Sequence, residues 1–172
     1  MLKPCPGHLR TSREAASHGK IVFMDFSKIT EDLFIGQTPR GKDYELLREL
    51  GVRLVINMRL EKLPSRERHI APIHYLWLPT IDSPGLVIPI RFLRRGVSAA
   101  LETIRSGGKV YVHCGKGRHR GVAMGAAILI AMGQPPEVAM ELIKAQRPIA
   151  DPDAFYIRSR ILRFARQWQA ID

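Results

Sequence analysis

The sequence predicts one α/β domain, in which helices pack on a single central sheet of four to five mostly parallel strands. Two observations predict this fold. Short apolar segments of strand length alternate with longer segments that carry apolar residues at helical spacing. The 172 residues also suffice for one domain with a real core, and hydrophobic residues make up 45% of them. We place the domain at residues 20–172, after a polar segment, 1–19, which we interpret as a flexible N-terminal tail.

The predicted strands are short runs of apolar and β-branched residues between glycines, prolines and charged residues. They are residues 21–24, 33–35, 52–57, 73–78 and 109–113. The third run, Val-Arg-Leu-Val-Ile-Asn, is typical of a buried strand. We expect Pro79 to end the fourth strand.

The predicted helices are longer segments with apolar residues on one face. They are residues 42–50, 89–105, 121–132, 137–146 and 153–168. Gly51 and the glycine pair at 107–108 end the first two. The third is apolar nearly all round, which predicts a buried helix. The last carries four arginines on its outer face, which we interpret as solvated surface.

Composition restricts the class of protein. The chain carries 27 lysines and arginines against 16 aspartates and glutamates, a formal net charge of +11. This excess favours anionic partners: phosphate esters, nucleic acid or an acidic membrane surface. No apolar run approaches the ~20 residues that span a bilayer, and the N-terminus lacks the apolar core of a secretory signal, so we expect a cytoplasmic protein without a membrane span. Two cysteines, Cys5 and Cys114, argue against a disulfide framework, and no Cys/His cluster has zinc-ligand spacing.

The segment that carries chemistry is residues 109–121, Lys-Val-Tyr-Val-His-Cys-Gly-Lys-Gly-Arg-His-Arg-Gly. A predicted strand enters it and a predicted apolar helix leaves it. Gly115 and Gly117 allow unusual backbone angles, so that successive amides can turn inward as an anion-binding nest. The N-terminus of the following helix adds positive potential, and the planar guanidinium of Arg120 can bind two phosphate oxygens at once.

Cys114 lies at the mouth of this positive concavity, where a helix N-terminus and nearby cations favour the nucleophilic thiolate form. His113 is expected to orient the loop through a hydrogen bond of its ring. The alternative is an inert buried cysteine at a glycine-rich strand–helix junction. We favour the nucleophile because the strand, the glycines and the helix all stand where the chemistry needs them.

The string His-Cys-x5-Arg, here HCGKGRHR, resembles the signature of the protein tyrosine phosphatase superfamily. Three further segments resemble its compact dual-specificity branch: ITEDLFIGQTP, GVRLVINMR and QRPIADPDAFYIRSRILRF. The resemblance covers about residues 26–168 and implies a cysteine-phosphatase-like fold and hydrolysis through a phosphocysteine intermediate. It implies that phosphate is bound by Gly115, Lys116, Gly117, Arg118, His119 and Arg120. No metal or cofactor is expected, because the loop itself supplies positive charge.

Asp82 is the candidate general acid. It follows the fourth predicted strand directly, and phosphoryl transfer to a thiolate needs an acid to protonate the leaving oxygen. The resemblance places the family's acid at about this distance before the cysteine, here 32 residues (114 − 82). The alternative is a turn aspartate in the Asp-Ser-Pro-Gly segment. The remaining aspartates near the motifs are interpreted as turn or cap residues, the last two of them bordering the pocket: Asp25, Asp32, Asp43, Asp151 and Asp153.

Two departures from the family pattern leave three hypotheses open. Gly121 stands where family loops place a serine or threonine that supports the departing thiolate, which implies slow breakdown of the intermediate. Lys116, Arg118 and His119 make the loop unusually basic, and in this it resembles the loops of phosphoinositide phosphatases. The hypotheses are a phosphatase for phosphotyrosine, and for phosphoserine or phosphothreonine; a phosphatase for a phosphoinositide, inositol phosphate or RNA 5′-phosphate; and a phosphate-binding module with little turnover.

A sulfur-transfer enzyme is disfavoured by the spacing between the cysteine and Arg120 and by the upstream Asp82. The sequence carries no signal for the physiological substrate or for the oligomeric state.

Overall fold

In the computed structural model, which describes residues 24–62 and 71–170, five strands form one sheet. In chain order they are β1 Phe26–Lys28, β2 Leu33–Gly36, β3 Val52–Arg59, β4 His74–Thr80 and β5 Lys109–His113. They lie side by side in the order β1-β2-β5-β3-β4. The last four pair in parallel, whereas β1 pairs with β2 in the antiparallel sense. The predicted single, mostly parallel sheet is therefore confirmed.

Helices cover both faces of the sheet. They are α1 Asp43–Glu49, α2 Ile90–Arg105, α3 Arg120–Ala131, α4 Pro136–Gln146 and α5 Phe155–Gln169. The predicted buried helix is α3, and α2, α4 and α5 pack around it. Strand side chains alternate between faces, so Leu33 and Ile35 join the core around α3, whereas Phe34 joins the smaller cluster of α1 with Tyr44 and Leu47.

Most element boundaries differ from the sequence predictions by one or two residues, and three of the differences bear on the fold. Residues 21–23 of the first predicted strand, the tail at 1–19 and Cys5 lie outside the described residues, and the first described strand is β1 rather than a strand ending at Met24. Pro79 does not end β4, which continues to Thr80. A proline is tolerated there because β4 is an edge strand that pairs only with β3. The last helix begins at Phe155 and not at residue 153.

The parallel strands bring their carboxyl ends to one edge of the sheet. The connection from β5 to α3 starts at this edge, as do the segments that follow β2, β3 and β4. Ligands of open α/β sheets bind at this edge. The fold therefore brings the Cys114 loop, Thr38, Glu61 and Asp82 to one place. Among the helices of the described part of the chain, none is long and apolar enough to cross a membrane.

Candidate active site

The loop from Cys114 to His119 is held from outside by a buried arginine. Arg147 is 1% exposed, and its Nη2 and Nε donate to the carbonyl oxygens of Lys116 and Gly117 at 2.7 and 2.8 Å. In a trans peptide the carbonyl of one residue and the amide of the next point in opposite directions. The amides after these two carbonyls therefore point into the loop.

Two other carbonyls of the loop are also turned outward. The Thr38 hydroxyl donates to the carbonyl oxygen of Cys114 at 3.1 Å, and the Asp151 amide donates to that of Arg118 at 2.9 Å. The same peptide geometry turns two further amides inward. A ring of inward amides beside a helix N-terminus is an anion-binding site.

Gly117 is the loop position that needs glycine. Its φ is +64°, and a Cβ there would lie 2.6 Å from the carbonyl oxygen of Gly36 at the end of β2. Any side chain would force the loop away from the sheet. Gly115 differs from the expectation, because its φ lies outside the left-handed region and a Cβ there would meet open space. The unusual backbone angle predicted for both glycines is therefore found at Gly117 alone.

Cys114 lies at the floor of the loop, 1% exposed, between the end of β5 and the first turn of α3. A Cβ built on Gly121 would lie 3.7 Å from its Sγ and 3.6 Å from its amide nitrogen. The sulfur therefore lies against the N-terminal turn of α3.

Burial alone lowers the pKa of Arg120, but its hydrogen bonds to Glu61 and the negative charges of Cys114, Glu61 and Asp82 outweigh burial and raise it.

Arg120 is oriented by Glu61 and by the end of β4. Its Nη1 and Nη2 donate to the two carboxylate oxygens of Glu61 at 3.0 and 2.9 Å, and Nη1 also donates to the Thr80 carbonyl oxygen at 2.7 Å. The hydrogen bonds from Arg120 lower the pKa of Glu61 to about 2 against the opposing effect of burial. The Nε of Arg120 is buried and has no hydrogen-bond partner within the described residues.

Asp82 lies beside this guanidinium. Its Oδ2 is 3.7 Å from the Arg120 Nε and 3.2 Å from the His119 Nδ1, and its Oδ1 accepts a hydrogen bond from the Tyr156 hydroxyl at 2.8 Å. Burial and the Asp82 carboxylate raise the pKa of Tyr156, so that its hydroxyl remains a donor. The fold thus brings Asp82 to the loop, and its role as general acid stays a prediction.

His113 is buried directly before Cys114, and its role in orienting the loop stays a prediction. Burial lowers the pKa of its ring to about 3, against an opposing effect of the Cys114 backbone, so the imidazole is neutral. Neither ring nitrogen makes a hydrogen bond of normal geometry within residues 24–62 and 71–170. The hydrogen bonds to the outward carbonyls of the loop come from Arg147, Thr38 and Asp151.

The basic residues of the loop divide into an inner and an outer group. Lys116 and Arg118 are exposed on the outside, and the Arg118 Nη2 pairs with the Asp151 Oδ2 at 3.3 Å. His119 is partly buried against Asp82 and the ring of Tyr156. Among the described residues, no group of three His, Cys, Asp or Glu side chains could hold a metal ion.

Four residues that shape the site were not among those predicted from the sequence: Thr38, Glu61, Arg147 and Tyr156. Arg147 lies in the Gln-Arg-Pro segment that resembles the family's closing segment, which was a usable signal. Asp25, predicted as a turn or cap residue, instead pairs with it, its Oδ2 lying 2.9 Å from the Arg147 Nη2.

Of the two aspartates before α5, Asp151 borders the site and also accepts the Ala154 amide at 3.1 Å. Asp153 instead pairs with Lys144 and Arg158.

No family model matches the chain. Mouse dual specificity phosphatase 28 is 28% identical over 148 residues, covering 85% of this chain and 88% of that protein. Rat phosphatidylglycerophosphatase and protein-tyrosine phosphatase 1 is 35% identical over 126 residues, covering 69% of this chain and 65% of that protein.

Solved structures give the same picture. Human DUSP28 superposes with a TM-score of 0.75 at 25% identity, over 84% of this chain and 99% of that one. PTPMT1 in complex with PI(5)P superposes with a TM-score of 0.76 at 29% identity, over 85% of this chain and 97% of that one. The chain is a compact, dual-specificity-phosphatase-like member of the protein tyrosine phosphatase superfamily.

Proposed function

We propose that the chain is a cysteine-dependent phosphatase that hydrolyses phosphate monoesters, with phosphotyrosine as the first candidate substrate and phosphoserine and phosphothreonine as further ones. One observation carries this proposal. A buried cysteine lies within a loop whose carbonyls are turned outward, beside a guanidinium whose Nε makes no hydrogen bond in the described residues and has the Asp82 carboxylate 3.7 Å away. This arrangement fits a tetrahedral oxyanion held over a sulfur nucleophile.

In the proposed first step the Cys114 thiolate attacks phosphorus. An S–P bond forms as the P–O bond to the leaving group breaks, and the leaving oxygen takes a proton from Asp82. The inward amides and Arg120 bind the three non-bridging oxygens of the transferring phosphoryl group. Because these donors are already in place, they stabilise the negative charge of the transition state without a rearrangement of water. Tyr156 and His119 hold the Asp82 carboxyl at the loop, which is the position an acid needs.

In the proposed second step water hydrolyses the phosphocysteine. The Asp82 carboxylate takes a proton from water, the water oxygen bonds to phosphorus, and the P–S bond breaks. Inorganic phosphate leaves and the thiolate is restored. The same carboxyl group serves as acid and then as base.

A second candidate substrate is a polyanionic phosphate ester such as a phosphoinositide, an inositol phosphate or an RNA 5′-phosphate. The exposed cations Lys116 and Arg118 at the loop support it, because they would contact phosphates beyond the one being hydrolysed. The likeness to PTPMT1, whose structure holds PI(5)P, supports a lipid among these. Turnover compared across phosphotyrosine peptides, phosphoinositides and RNA 5′ ends separates the candidates.

A phosphate-binding module with little turnover is the third candidate, and Gly121 favours it. A Cβ at this position would have ordinary contacts, the nearest atoms lying 3.6 Å away, so a serine would fit where the chain has none. Without a serine hydroxyl at position 121, the Cys114 thiolate that leaves phosphorus in the second step lacks one hydrogen-bond donor.

Rapid-mixing kinetics with p-nitrophenyl phosphate test the proposal. We expect a burst of one nitrophenolate per chain followed by steady turnover, and no release from Cys114→Ser, which retains binding of inorganic phosphate. A burst without later turnover supports the third candidate. Equal rates for the wild-type chain and Cys114→Ser contradict the assigned nucleophile.

A further inference from the structure

Exposed apolar side chains in the described part of the chain concentrate at the mouth of the active site. Eight large apolar side chains of these residues are exposed, and all but Met132 and Val138 belong to segments that adjoin the loop or Asp82. These six are Leu60, Ile81, Leu86, Val87, Ile149 and Phe155. Exposed apolar residues scattered singly need no explanation, but their concentration in one place indicates a contact surface.

The contacts of these segments fix them beside the site. Ile81 directly precedes Asp82, and Phe155, which is 72% exposed, directly precedes Tyr156, whose hydroxyl binds Asp82. The backbone amide of Leu60 donates to the Thr80 carbonyl oxygen at 3.0 Å. The same carbonyl oxygen accepts a hydrogen bond from the Arg120 guanidinium. The apolar residues are thus part of the rim and not a separate patch.

The most prominent apolar pair lies at the tip of the loop that carries Asp82. An antiparallel bridge joins Ser83 to Leu86, and the Leu86 amide donates to the Ser83 carbonyl oxygen at 3.2 Å. This tight turn leaves Leu86 and Val87 54% and 48% exposed, while the next residue, Ile88, is buried in the core. The turn therefore holds the Leu86 and Val87 side chains exposed to solvent.

Two exposed cations follow this apolar tip in the chain. Arg91 and Arg95 are exposed and lie four residues apart, hence on one face, in the first turns of α2. Across the mouth, Lys116 is exposed, and no carboxylate of the described residues lies within ion-pair distance of its ammonium group. The net charge of +11 adds long-range attraction to anionic surfaces.

We propose that the docking rim, defined as Leu86, Val87, Phe155, Arg91 and Arg95, seats the enzyme on an anionic lipid bilayer. The apolar side chains enter the interface while the guanidinium groups meet lipid phosphates. The bilayer is preferred over a protein partner because exposed arginines at the start of α2 directly follow the apolar tip, and apolar side chains next to cations complement an anionic surface over an apolar interior. This inference rests on the proposed function and makes a phosphate monoester in a lipid headgroup the substrate that docking delivers to Cys114.

Vesicle co-sedimentation of the full-length Cys114→Ser chain tests the docking rim without turnover. We expect binding to phosphatidylcholine vesicles with about 30% phosphatidylserine, little binding to phosphatidylcholine alone, and weakening by salt. In the same background, Leu86→Ser/Val87→Ser and Arg91→Glu/Arg95→Glu are each expected to lower the partition coefficient by about tenfold or more. The matched controls are Met132→Ser/Val138→Ser and Arg163→Glu/Arg166→Glu, which keep binding within about twofold.

Three outcomes overturn the docking rim: no sedimentation with anionic vesicles, equal losses in rim and control variants, or a loss of phosphotyrosine-peptide binding without a loss of vesicle binding. The last would assign the rim to a peptide partner. Hydrolysis of soluble p-nitrophenyl phosphate by the wild-type chain reports separately on the proposed function. Turnover of that ester together with absent vesicle binding therefore contradicts the docking rim alone.

Discussion

Two buried arginines lie on opposite faces of the same loop, and their donors are used differently. Arg147 is on the outer face, where its Nε, Nη1 and Nη2 all donate to protein oxygens. Arg120 is on the inner face, where Glu61 and main-chain oxygens take Nη1 and Nη2 but the described residues offer no hydrogen-bond acceptor to Nε. A guanidinium whose three nitrogens all donate to protein oxygens stabilises the loop, whereas one whose Nε makes no hydrogen bond can donate to a ligand.

This difference predicts that substituting Arg120 lowers activity, whereas substituting Arg147 lowers stability. Arg120→Lys keeps a positive charge but loses the planar fork, so we expect kcat/KM for p-nitrophenyl phosphate to fall by about 10³-fold. Steady-state kinetics measure this loss, and urea unfolding checks that the variant stays folded. A loss below about tenfold would show that the inner guanidinium does not bind the reacting phosphate.

On the outer face, Arg147→Met should act mainly on stability. It leaves the carbonyl oxygens of Lys116 and Gly117 without donors, and we expect the free energy of unfolding to fall by about 3 kcal/mol. Urea denaturation measures it. Lys144→Met, which removes an exposed cation from the preceding helix α4, is the control and should leave the urea midpoint nearly unchanged. Equal midpoints for the two variants contradict the structural role.

Asp82 extends the comparison, since its carboxyl group belongs to the inner face. Asp82→Asn keeps the shape and removes the proton donor, so we expect about 10²-fold slower hydrolysis of phenyl phosphate, whose leaving group needs protonation. p-Nitrophenyl phosphate, with a better leaving group, should slow by only a few fold. Equal slowing of both esters means that Asp82 positions substrate or loop without acting as the acid.

On the inner face, Cys114, Arg120 and Asp82 were predictable from sequence, whereas Glu61 and the outer support were not. Cys114, Arg120 and the helix after them are neighbours in the chain, so local glycines and periodicity predict their arrangement. Glu61 and Arg120 are 59 residues apart and Asp25 and Arg147 are 122 residues apart. No local pattern indicates which charged residues so far apart will pair, because pairing depends on how β1, β3 and α4 meet the loop, and the one usable signal for Arg147 was the family resemblance of its Gln-Arg-Pro segment. Asp82 was predicted from its place directly after a strand and from the spacing that the family resemblance implies, and Glu61, which lies just after β3, offered the first of these signals as well.

The smallest expected effect concerns Glu61, whose carboxylate orients the Arg120 guanidinium. The hydrogen bonds from Arg120 hold the pKa of Glu61 at about 2, below its ordinary value of 4.5, so its contribution to stability is complete above pH 4.5 and is lost as the pH falls toward 2. Because the Glu61 side chain is 47% exposed, solvent screening reduces this contribution to about 1 kcal/mol.

Glu61→Gln should therefore be less stable than the wild-type chain at pH 7, and the difference should shrink between about pH 5 and pH 2. Urea unfolding across this range measures it, with Glu102→Gln, at an exposed carboxylate of α2, as the control. A pH-independent difference would mean that Glu61 supports Arg120 through shape and not through charge, and the donors on the inner face would then be oriented by the main-chain oxygens of Met58 and Thr80 alone.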